Sequence, residues 1–206
     1  MSKQTIWNFL KRETNLPDVS IAGIMGNMMA ESGCEACRLQ GDFMSDRSPS
    51  KEYARKVNSN LNPNWYSDQK GWGLCQWTWW SRKKSLKECC DSYGTGIESE
   101  TSQLRFMLAE MQNEFSSMWR QLLIATDIRT AAYLVCHFYE APAYENVDAR
   151  ADYGKTIYDQ FHGKDVDPEP EPEPTPEPQQ DDDKLCKAID LLRQALELLK
   201  EIALNS

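Results

Sequence analysis

The chain has 206 residues, 40% of them apolar, which is enough for one medium domain with appendages and a sizeable core. Its net charge of −9 is uneven: residues 165–183 hold nine acids and no base, residues 184–206 hold four bases and three acids, and residues 1–164 are left at −1. A nearly neutral domain is not expected to bind nucleic acid, no run approaches the ~20 apolar residues of a membrane span, and an odd count of seven cysteines argues against a disulfide framework.

Ile6, Phe9 and Leu10 recur at helical spacing and predict a first helix over 5–13. The segment MSKQTIWNFLKRE lacks the apolar core of a signal peptide, so synthesis without export is expected. A second helix is expected to begin at Pro17-Asp18, with Ile21, Ile24, Met25, Met28 and Met29 on its buried face and Gly33 as its stop. Glu31 then falls in the last turn, at the negative end of the helix dipole and beside methionines that would desolvate it. Both effects are expected to raise its pKa, which would suit a general acid. A solvated, idle helix-end glutamate is the plainer alternative.

Residues 34–66 are rich in turn formers and read as irregular structure with a short helix near 50–57. A loop that long in a compact domain is usually functional. In SDQKGWGLCQWTWWS (67–81), Gly71 and Gly73 punctuate an aromatic run that suits a small hairpin or sharp turn. Further helices are expected over 82–93 with Ser81 as cap, over 99–114, over 117–123, over 128–139 behind an Asp127 cap and ended by Pro142, and over 149–161. The fold class is therefore mostly α (α+β): about seven helices with one small β element.

Residues 165–183, DVDPEPEPEPTPEPQQDDD, cannot bury a core and read as an extended Pro-Glu linker that bounds the domain. Beyond it, apolar residues at 185, 189, 192, 196, 199 and 203 alternate steps of four and three, a heptad pattern. The C-terminal helix expected over 184–206 is read as an oligomerisation element, with wall anchoring as the alternative.

Cysteines 34, 37, 89 and 90 are numerous enough for a structural zinc, but adjacent Cys89 and Cys90 point apart on a helix, so free thiols and no metal are expected. Tryptophan offers a broad face to a sugar ring. Trp72, Trp77, Trp79 and Trp80 crowd one segment, and about two of them are expected to line a cleft, with Trp72 and Trp77 as the chosen sugar contacts.

Three ordered pieces, GNMMAESG (26–33), GWGLCQWTWWSR (71–82) and the FYEAP run (138–142), resemble the lysozyme-like superfamily of goose-type lysozymes and soluble lytic transglycosylases. They are closest to the lysozyme-like domains of phage endolysins and tail-tip proteins, over roughly residues 5–162. The resemblance implies a muramidase that cleaves the N-acetylmuramic acid–N-acetylglucosamine bond of peptidoglycan without a cofactor. It makes Glu31 the acid that protonates the glycosidic oxygen, gives Gln76 a bond to the sugar or the reactive water, and puts Tyr139 in the cleft. Glu140 takes the acidic position of the Phe/Tyr-Glu-x-Pro run less securely, because Ala141 precedes Pro142. Asp42, Asp46 and Asp68 are candidates for the second carboxylate that glycoside cleavage usually needs. The resemblance also implies a stay in the host cytoplasm before release onto the wall. Alternatives are a transglycosylase with an anhydro product, a wall amidase or peptidase using Cys75 and His137, and a non-catalytic phage structural or wall-binding protein.

Overall fold

The computed structural model describes residues 3–164; the expected Pro-Glu linker and C-terminal helix lie outside them. Eight α-helices follow one another: α1 (Lys3–Glu13), α2 (Asp18–Ser32), α3 (Ser48–Asn58), α4 (Trp80–Ser92), α5 (Glu100–Asn113), α6 (Ser116–Leu122), α7 (Ile128–Leu134) and α8 (Val147–Phe161). A one-turn 3₁₀ helix (Trp65–Ser67) precedes α4, and a π-helix (Val135–Glu140) continues α7. The expected β element is reduced to isolated antiparallel bridges joining Trp72 to Leu39 and to Trp77.

α2 is the central element and packs against α1, α7 and α8. Its Ile21, Ile24, Met25 and Met28 are at most 1% exposed. Burying each such side chain contributes about 1.5–3 kcal/mol. The helix stops where the sequence says it should: Gly33 takes φ 72°, and the amides of Gly33 and Cys34 donate back to Met29 and Met28. Small residues set how closely α2 is approached. A Cβ on Gly26 would run into the Arg150 carbonyl and lie 2.9 Å from the Gly154 amide nitrogen, so α2 and α8 cross at backbone contact.

Local chemistry explains most of the other boundaries. Ser99 caps α5 by accepting from the Ser102 amide, and Asp127 caps α7 by accepting from Thr130 at 2.8 Å. α4 starts at Trp80 rather than after Ser81, with Trp79 in the N-cap position and no side-chain cap there. The expected single helix over 128–139 changes to a π-helix at Val135, closed by the Ala141 amide donating to the Cys136 carbonyl at 2.8 Å. Ala141 then takes φ 43°, a left-handed conformation uncommon for alanine, immediately before Pro142. No helix among the described residues is long and apolar enough to cross a membrane.

Candidate active site

Glu31, in the last turn of α2, does not meet the apolar surroundings that Met28 and Met29 suggested. Its carboxylate is ion-paired with the largely buried Arg150 of α8, Nη2 to Oε1 2.7 Å. Arg150 also donates from Nη1 to the Asn27 side chain at 2.9 Å. Asn27 in turn donates to the Gly23 and Ala132 carbonyls. Buried Asn27 thus ties the arginine to α2 and α7 as well.

The next residue, Ser32, connects this helix end to the aromatic segment. Its hydroxyl donates to the Leu74 carbonyl at 2.9 Å. The Leu74 amide donates to Gln103 of α5, whose own amide group donates to Ala36 and Ile97. Gln76, at φ 45°, points its amide nitrogen at the Arg38 and Gly73 carbonyls, so both donors are spent on stapling the loop. Only its Oε1 is left for a substrate.

Tyr139, expected to line the cleft, is 2% exposed. Its hydroxyl donates to Glu110 of α5 at 2.6 Å, and its ring lies 4.4 Å beneath the Arg82 guanidinium. Arg82 of α4 grips Glu110 with two hydrogen bonds, 2.7 and 2.9 Å. Trp77 donates its indole N–H into the same group. Direct sugar stacking on Trp72 and Trp77 is corrected by their burial: they are 0% and 1% exposed, Trp72 packed on Tyr53 and Trp77 on Phe106. The open tryptophans of the segment are Trp79, 66% exposed, and Trp80, 52% exposed.

Glu140 closes the π-helix and joins the same cluster. Its Oε1 is buried and has no hydrogen-bond partner. Burial first, and the Glu31 charge second, push its carboxyl up to about 8, against the opposing pull of Arg82 and Arg150; the Cys75 thiol lies beside it. Of the two glutamates, the one in the desolvated setting expected for Glu31 is Glu140.

The other candidate carboxylates have structural partners. Asp42 is bound by the Ser50 hydroxyl and amide and the Met44 amide, Asp46 accepts from the Ser48 amide, and Asp68 is held by Lys83 at 2.6 Å and Tyr53 at 2.6 Å. Cys75 is buried, and burial together with the neighbouring Glu140 raises its thiol pKa well above the usual range, the reverse of what a thiolate nucleophile needs. His137 is exposed, bonds Glu145 at 2.7 Å and stacks on Tyr133, so no hydrogen bond makes it the base of Cys75. All six cysteines among the described residues are free, and no group of three or more His, Cys, Asp or Glu side chains there could hold a metal.

Arg150, Arg82, Glu110, Asn27 and Gln103 carry much of this arrangement, and none stood out in the sequence. A signal was present: Arg150 shares a helical stripe with Gly154, Ile157 and Phe161, all buried, and Glu110 shares one with Gln103 and Met107. A charged residue in a buried stripe must find a partner.

Ser32, next to Glu31, bonds the Leu74 carbonyl of the aromatic loop, and the Glu31 charge acts on Glu140 at the end of the π-helix. The family model described as phage tail lysozyme matches residues 2–161. The chain belongs to the phage tail lysozyme family. No match is found among curated proteins. Membership makes lysis of bacterial peptidoglycan the activity of this domain in general terms.

Proposed function

We propose that this phage tail lysozyme domain is a muramidase, cleaving the β-1,4 bond between N-acetylmuramic acid and N-acetylglucosamine, with Glu31 delivering the proton to the glycosidic oxygen. One observation carries the reading: a carboxylate at the end of α2, paired with Arg150, shares its cluster with a second carboxyl, Glu140, that has no counter-ion of its own. Glycoside cleavage works with two carboxyl groups in unlike environments. Gln76 and Tyr139 support the reading as the residues that hold the loop and the π-helix in place. Trp79 and Trp80 are the proposed sugar-stacking faces, because they are the exposed tryptophans of the segment that carries Gln76. Outside the described residues, 184–206 is proposed to join copies of the chain, which would raise avidity for a polymeric wall.

The deciding experiment is a mass-spectrometric digest of purified peptidoglycan by the wild type and Glu31→Gln. Muramic acid reducing ends, absent with the variant, support the muramidase. Anhydro-muramic ends would assign transglycosylation, and cleaved stem peptides on intact glycan would overturn the glycosidase reading.

A further inference from the structure

The Glu140 carboxyl feels the charges of Glu31 from α2, Arg82 from α4 and Arg150 from α8 and a hydrogen bond with the Cys75 thiol of the aromatic loop, and it acts in turn on its π-helix neighbours Tyr139 and Cys136. Both arginines are already committed. Arg82 is paired with Glu110, and Arg150 with Glu31. These two pairs balance one another's charge, so the cluster is neutral when Glu140 is neutral. Ionising Glu140 would add an anion with no cation left to match it, and its buried Oε1 has no donor to replace lost water. The backbone that holds it there is itself unusual, a π-helix followed by a left-handed alanine. Such features persist where the surrounding structure enforces them, and they concentrate at functional sites.

We propose that Glu140 is the proton store of this site: at rest it holds the single proton of the Glu31–Glu140 pair and passes it to Glu31 as substrate binds. The inference rests on the muramidase reading of Glu31. On substrate entry the proton leaves Glu140 for the Glu31 carboxylate, whose charge already acts on it. Glu31 gives it to the glycosidic oxygen as the bond from the anomeric carbon breaks and its electron pair goes to that oxygen. Water then supplies hydroxide to the anomeric carbon, and its released proton returns to Glu140. The role is one of holding and positioning a proton; Glu31 remains the group that meets the substrate.

Glu140→Gln tests this, because glutamine keeps the shape of a neutral carboxyl but cannot give up an acidic proton. Wild-type lysis of purified peptidoglycan is expected to fall on the alkaline side near pH 8, where Glu140 loses its proton. The variant's alkaline limb should move at least one pH unit toward acid, with lysis slower by about 100-fold or more at pH 7.5. At pH 5, where solvent protons are plentiful, it should stay within about tenfold of wild type. An equal loss at both pH values, or no loss at either, would overturn the proposal. A second readout needs neither activity nor a stable variant. In wild-type protein labelled with ¹³C-glutamate, one side-chain carboxyl should titrate between about pH 7 and 9, and none doing so overturns the proposal. If Glu31→Gln lysed normally, the muramidase reading would fail instead, while the carboxyl titration would still report whether Glu140 holds a proton.

Discussion

Gly26→Ala probes the contact on which the site depends. The added methyl meets backbone atoms of α8, the Arg150 carbonyl, the Gly154 amide nitrogen at 2.9 Å and the Gly154 Cα at 3.1 Å. None of these can rotate aside as a side chain would, so the two helices must separate. Overpacking of this kind costs about 3 kcal/mol, at the upper end for buried sites. Alanine recovers about 1 kcal/mol through its better helix propensity. The net loss is then about 2 kcal/mol, and for a domain of this size Tm should fall by about 4–8 °C. Gly33→Ala is the control. It meets no atom within 4 Å and carries only the strain of a left-handed residue at φ 72°, about 1–2 kcal/mol. Calorimetry of both variants measures the stabilities, and turbidity loss of peptidoglycan measures activity. Gly26→Ala displaces the turn that carries Arg150, so its lysis at 20 °C, well below Tm, should fall further than that of Gly33→Ala. A Gly26→Ala melting temperature equal to or above wild type would refute the close-crossing argument.

Other substitutions and one deletion test separate parts of the reading. Trp79→Ala with Trp80→Ala should weaken sedimentation with peptidoglycan while changing stability by less than about 0.5 kcal/mol per site, whereas Trp77→Ala should cost about 3–5 kcal/mol in a denaturant melt. Unchanged binding by the double variant would remove the proposed stacking faces. Cys75→Ala should keep at least about a tenth of wild-type lysis, since a buried thiol that merely adjoins Glu140 is not a nucleophile; a loss beyond about 1,000-fold with the fold intact would bring cysteine chemistry forward. Deleting 165–206 should bring the mass seen by light scattering down to that of a monomer, and an unchanged mass would rule out assembly through that segment.

The helices were legible because their signals are local. Apolar spacing in 21–29, the Ser99 and Asp127 caps and the Gly33 stop each act within a turn or two of the chain, and each helix formed where they said. Glu31 was legible for the same reason, as the end of an amphipathic run inside an ordered set of motifs. What sequence spacing alone does not reveal is which distant group meets it. Arg150 lies 119 positions away, and only the close crossing of α2 with α8 brings its guanidinium to the Glu31 carboxylate. The same holds for the tryptophans. The residue type suggests a sugar face, but whether that face is open depends on what packs over it, and Tyr53 and Phe106 cover the two chosen from the sequence. The switch from α to π geometry at Val135 likewise decides where Glu140 ends up. By itself, the sequence determined the helices, the ends marked by Gly33, Ser99 and Asp127, and the family, because these rest on interactions between near neighbours. Tertiary structure alone decided the charge pairing, the burial of each aromatic and the setting of Glu140, because partners and desolvation come from segments that are distant in the chain.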